Sequence, residues 1–158
     1  MLTNELWKPL RLSRTAYGTA RTIDSAAVPL TGYGLTFHRD DLIKLARFLY
    51  QDNGRINGVS MLDQTLLDEA MQKTASHGLD AGRINNKYFH GFWAWNPASA
   101  TSGPPICSAA RWIPYMSGFG GIGVVMLPGT MIYYFVSDNK EYGFSKTLIE
   151  LHKIHSLY

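Results

Sequence analysis

The segment Trp112-Ile-Pro-Tyr-Met-Ser-Gly-Phe-Gly-Gly-Ile-Gly-Val-Val-Met-Leu-Pro128 constrains this chain more than any other stretch. Gly118, Gly120, Gly121 and Gly123 open an apolar, β-branched run, and a second run, Met131-Ile-Tyr-Tyr-Phe-Val136, follows the Pro128-Gly129 link. Glycine within a strand pattern marks a bulge or a place where a ligand or another backbone comes close. The pattern predicts a hairpin whose first strand begins at that glycine-rich stretch. Pro-Gly suits a type II turn whereas tight hairpins prefer primed turns, so a bulge or a looser connection is expected. The second run is apolar on both faces, as in a strand covered by helices on one side.

The 158-residue length suits one domain, and a chain of that size buries roughly 70% of its unfolded surface. An apolar fraction of 46% with 17% charged residues is ordinary globular composition and excludes extended disorder. The net charge of +3 is mild and the basic residues are scattered, so no nucleic-acid footprint is expected. A single cysteine, Cys107, excludes an internal disulfide and a cysteine-built zinc site. No membrane span is expected, since no stretch nears the roughly 18 apolar residues required. The N-terminus lacks the apolar core of an export signal, and the compartment stays open.

Along the chain, Asn4–Ser13 suggests a short helical turn interrupted by Pro9, and Arg14–Leu35 an extended connection. A helix is expected from Thr36 or His38, with Asp40 and Asp41 complementing its dipole and Asn53-Gly54 stopping it. Its buried face would carry Leu42, Leu45, Ala46, Leu49 and Tyr50. Asn57-Gly58 reads as a turn, and Asp63 as the N-cap of a second helix through Leu66, Leu67, Ala70 and Met71. Ser76–Asn86 reads as loop, Tyr88–Trp95 as an aromatic strand interrupted by Gly91, and Asn96–Ala110 as a long loop. A last amphipathic helix is expected from Phe144 to His155. The fold class is therefore α+β, an antiparallel sheet of about three strands packed with helices.

Several of these segments together resemble one family. Leu6-Trp-Lys-Pro-Leu-Arg-Leu-Ser-Arg-Thr-Ala16 is similar to the W-x-P-L-x-L-x-x-T segment of serine hydrolases related to class C β-lactamases, D-alanyl-D-alanine carboxypeptidases and esterases. Gly34-Leu35 with Asp41-Leu42 and Leu45-Ala-Arg-Phe-Leu49 resembles that family's G-G-L-x-S-x-x-D-L-x-K-F element. Gly54-Arg-Ile-Asn-Gly58 with Met61-Leu62 resembles its G-x-x-x-G-x-x-L-L turn. Tyr115-Met-Ser-Gly-Phe-Gly-Gly121 with Pro128 resembles its third active-site motif and the strand pair behind it.

The resemblance implies the C-terminal part of a β-lactamase/transpeptidase-like fold and no cofactor or metal. Met116, Ser117, Gly118 and Phe119 would form one wall of an acyl-transfer groove, the Phe119 N–H being one oxyanion donor. The family's S-x-x-K serine and Y-x-N tyrosine would lie upstream of Leu6, so the chain alone is expected to be inactive. Met116 stands where the family carries Lys or His, which puts a β-lactam carboxylate site in doubt. The parent family often acts outside the cytoplasm. The alternative is a non-catalytic assembly module, pairing through an exposed sheet edge with a second copy or with a complementary N-terminal fragment.

Other patterns have plainer readings. Ser137-Asp-Asn-Lys140 fits S-x-x-K, but it closes a strand and opens a polar turn rather than placing serine and lysine on one helix face. His152 and His155 lack a third ligand nearby and complement the end of a helix. His90 reads as a satisfied group within an aromatic strand, His38 and His77 carry no signal, and Cys107 has no paired histidine.

Overall fold

The computed structural model describes residues 3–18, 23, 25–26, 36–72, 78–83, 86–96, 112–118, 122–127 and 132–136. Contacts divide the chain into two compact units, Met1–Leu62 and Asp63–Tyr158.

The first unit begins with a π-helical turn, Thr3–Trp7, in which the Lys8 N–H donates to the Thr3 carbonyl at 2.9 Å and the Leu12 N–H to that of Trp7 at 3.0 Å. The expected helical turn is thus present in the wider π form. Pro9 has no N–H to donate, but the turn bonds run past it, with the Leu10 N–H donating to the Leu6 carbonyl at 3.0 Å, and the chain reverses through Arg11, at φ 54°. A short helix, α1 (Arg14–Tyr17), follows where an extended connection was expected. Its Ala16 packs with Trp7 and Leu12 in a small core that Leu6, Phe37 and Leu45 extend.

Helix α2 (Arg39–Tyr50) starts where the sequence places it, after His38. Its buried residues are Asp41, Ala46 and Phe48, while Leu42, Leu45, Leu49 and Tyr50 are half-buried. Of the predicted apolar stripe Ala46 is fully buried and the other four lie at the margin, while Phe48, outside the stripe, joins Ala46 in the deeper position. Asn53 and Gly54, at φ 52° and 69°, end the helix. Asn57 and Gly58, at φ 50° and 81°, then turn a hairpin of β1 (Arg55–Ile56) and β2 (Val59–Ser60). Positive φ at both central residues is the signature of the type I′ turn, which Asn-Gly adopts at least cost.

In the second unit α3 (Gln64–Ala70) is capped by Asp63, whose carboxylate accepts the Leu66 N–H at 3.0 Å. A six-stranded antiparallel meander follows, each strand beside its predecessor. Its strands are β3 (Leu79–Arg83), β4 (Asn86–Phe89), β5 (Phe92–Trp95), β6 (Ile113–Gly118), β7 (Ile122–Met126) and β8 (Ile132–Val136). The class is α+β as expected, but about three strands was too few. Leu79–Arg83 is a strand despite its polar, glycine-containing sequence, because β4 supplies the partner. Tyr88–Trp95 is two strands, turned at His90 and Gly91 with φ 46° and 86°. His90 is thus an exposed turn residue, not a group satisfied within a strand.

The register aligns one face of this sheet. Trp93 lies opposite Tyr115, Tyr115 opposite Val125, and Val125 opposite Tyr133. With Trp95, Ile113 and Leu127 these residues form the sheet's apolar cluster. Tyr88 extends the row, its ring 5.0 Å from that of Trp93, and Trp93 stacks on Tyr115 at 6.3 Å. Full burial of Ile113 contributes roughly 2–3 kcal/mol. On the opposite face Ala94, Val124 and Met126 are also buried, so both faces of the central strands are covered. The expected helix Phe144–His155 lies outside the described residues.

Candidate functional site

Strand β6 changes its environment halfway along. Ile113, Pro114 and Tyr115 are paired on one side with Trp95, Ala94 and Trp93 of β5. On the other side β7 pairs with Tyr115, Met116, Ser117 and Gly118. Just before Trp93, the β5 strand reaches Phe92, which is already opposite Phe89 across the His90-Gly91 turn. Among the described residues Met116, Ser117 and Gly118 therefore pair with β7 alone, and this overhang is half-buried. Backbone N–H and C=O groups alternate in direction along a strand, so part of this stretch presents hydrogen-bonding groups to the side β5 has left.

The side chains of the overhang divide between the two faces. Ser117 shares a face with Tyr115 and lies opposite Gly123, while Met116 and Gly118 lie on the other face opposite Val124 and Ile122. Gly123 is required by close approach: a Cβ there would sit 2.3 Å from Cε1 of Phe135, the residue opposite it on β8. The Phe135 ring also stacks on Tyr133 at 6.2 Å. The glycine that the sequence marks inside the strand thus lets an aromatic ring lie flat on the sheet next to Ser117.

Of the four residues expected to form the groove wall, Met116, Ser117 and Gly118 stand together on the overhang. Phe119 lies outside the described residues, as do Cys107, Ser137, Lys140, His77, His152 and His155. Among the described residues no three His, Cys, Asp or Glu side chains converge as a metal site would require, and no helix is long and apolar enough to cross a membrane.

Two buried polar residues escaped sequence reasoning. Asp41, expected only to complement the α2 dipole, is 1% exposed and joins the chain across 28 positions. Its carboxylate accepts the Ser13 N–H at 2.7 Å, the Ser13 hydroxyl at 2.5 Å and the His38 N–H at 3.2 Å. The last bond is half of a capping box, legible from Asp41 standing at N3; the bonds from Ser13 carry no local signal. Burial alone would raise the Asp41 pKa, but the donors on Ser13 and His38, with the charge of Lys44, outweigh it and hold the carboxyl below its ordinary value.

The second residue, Gln72, follows α3 at φ 51° and is fully buried. Its Nε2 donates to the Phe92 carbonyl at 3.2 Å, tying the end of α3 to the start of β5. A Cβ on Gly78 would sit 2.2 Å from its Oε1, so glycine is needed there as well. These contacts are architectural. Among the described residues the β6 overhang has one unpaired backbone side, as do the outer strands β3 and β8 of the same sheet. Comparison of the chain with known protein families, characterised proteins and solved structures finds no match.

Proposed function

We propose that this chain is the C-terminal part of a β-lactamase-like serine hydrolase and supplies one wall of its acyl-transfer groove. The observation that carries the reading is the overhang of β6, where Met116, Ser117 and Gly118 extend past the end of β5. An acyl substrate in extended form would add to that edge through main-chain hydrogen bonds, as peptides add to open strands elsewhere. The motif is followed by β7 and β8, which pair antiparallel with each other. Ser117 acts as groove lining in this reading. Its hydroxyl has no hydrogen-bond partner among the described residues, and an attacking serine needs a base within reach.

Amide chemical shifts measured while adding a penicillin, an acyl-dipeptide or an activated ester test the wall. Shifts at Met116, Ser117 and Gly118, with no covalent adduct after fluorophosphonate treatment, are the expected result. A stoichiometric adduct on a serine of this chain would overturn the non-catalytic role. Silence of those three amides toward every probe would overturn the groove.

A second reading, an assembly module pairing through its sheet edge, is favoured by Ile122 and Val136. These register partners at one end of β7 and β8 are 42% and 63% exposed. A dimer that Val136→Lys dissociates is the expected result in sedimentation, and a clean monomer at tens of micromolar would remove this reading.

A further inference from the structure

The first unit carries an open cleft of about 450 Å³. Arg11, Lys44, Arg47 and Arg55 line it, and Asp52 is the one carboxylate among the lining residues. These cations come from the segment after Pro9, from α2 and from the β1–β2 hairpin. Their scatter in sequence hid the cluster.

Asp52 is engaged by Arg47, with Nε to Oδ2 at 3.6 Å. The Lys44 ammonium donates to the Arg11 carbonyl, which holds it at the cleft. Among the described residues the guanidinium groups of Arg11 and Arg55 have no carboxylate partner. Like charges gathered around one cavity repel each other and raise the local potential, which a bound anion relieves. The shape is set by backbone turns, with Arg11 at φ 54° on one side and Asn57 and Gly58 at φ 50° and 81° on another. Pro9, Leu10 and Ile56 add an apolar wall.

Charge and geometry narrow the ligand. A single carboxylate would leave most of the excess positive charge unanswered, whereas a diphosphate spreads two to three negative charges over several oxygens. Guanidinium forks match phosphate oxygens bidentately. The apolar wall suits an organic group attached to that diphosphate, and the volume falls within the range of small-molecule sites.

We propose that this cleft is a binding site for a small organic diphosphate. Arg11, Arg55 and Lys44 hold the phosphate oxygens, and the organic part lies on Pro9, Leu10 and Ile56. The site shares no residue with the proposed groove wall at Met116, Ser117 and Gly118, since every residue lining it belongs to the first unit.

Calorimetric titration of the full chain with inorganic pyrophosphate at low salt tests the phosphate half of the site. Saturable one-site binding is expected, and Arg55→Gln should weaken it about tenfold, the loss of one charge-assisted contact. Arg11→Asn should do the same while tolerating the left-handed backbone at that position. Asp52→Asn should tighten binding severalfold by releasing Arg47. Arg14→Ala, a cation of α1 outside the cleft, should change affinity less than twofold, and circular dichroism confirms that each variant is folded. Absence of saturable binding would overturn the proposal. So would losses in the Arg11 and Arg55 variants no larger than that of Arg14→Ala.

Discussion

Asp41→Ala should loosen the first unit by about 3 kcal/mol. The substitution removes the acceptor for three donors: the Ser13 N–H, the Ser13 hydroxyl and the His38 N–H, at 2.7, 2.5 and 3.2 Å. Hydrogen bonds to a charged acceptor contribute roughly 1.5–3 kcal/mol each, but their simple sum is too large here. Ser13 is half-exposed, so water takes over part of its bonding, and the longer His38 bond contributes at the lower end of a helix cap's range. Exchange of the α2 amides, measured by mass spectrometry on peptides from 39–50, should quicken by roughly 150-fold, the equivalent of about 3 kcal/mol. Asp41→Asn keeps one acceptor oxygen and should fall between the two.

The pH dependence gives the same test a sign. The Asp41 pKa is held below its ordinary value of 3.8 in the folded chain. Its stabilisation is therefore fully present above the unfolded pKa and fades as pH falls through the folded one. The ratio of variant to wild-type exchange should be constant from neutral pH to about 5 and shrink below about 3.8. A ratio under threefold at neutral pH, or one that grows on acidification, would refute the assignment of Asp41 as an ionised clasp.

Gly123→Ala should cost about 1 kcal/mol, because the new methyl group would displace the Phe135 ring and break its stacking on Tyr133. The cost should vanish in a Phe135→Ala background, which a double-mutant cycle of thermal melts would reveal. Gly91→Ala should also cost about 1 kcal/mol, through backbone strain alone, since at φ 86° it has open space around it. Gly91→Asn should recover part of that loss in the same melts.

Features specified by neighbouring residues were legible in the sequence. Asn57-Gly58 turns a hairpin and Asp63 caps a helix because each acts on backbone within a few positions of itself. The turn at His90 and Gly91 was missed because the flanking aromatics make one continuous strand-like run, and histidine at positive φ is a weak turn signal. The strand Leu79–Arg83 was missed because pairing, not propensity, specifies it. Ser13 and Asp41 lie 28 positions apart, and no periodicity joins them. The motif at Met116–Gly118 was visible as a pattern, but its exposure depends on where β5 stops, which only the register of three strands reveals. Likewise, Arg11, Lys44, Arg47 and Arg55 become a cluster only once the chain has turned twice.

The meander also bears on how the chain assembles. Because every strand of the six-stranded sheet lies beside the one before it, most loop closures are short and their entropy cost is small. The long closure joins Trp95 to Ile113, residues buried at the seam between β3–β5 and β6–β8. Each half can zip locally, but the halves must find one another across that tether. On loop length alone, the Trp95–Ile113 pairing is therefore the costliest of the sheet's closures to make. Shortening the 96–112 connection should therefore raise the refolding rate, read by stopped-flow fluorescence of the sheet's tryptophans.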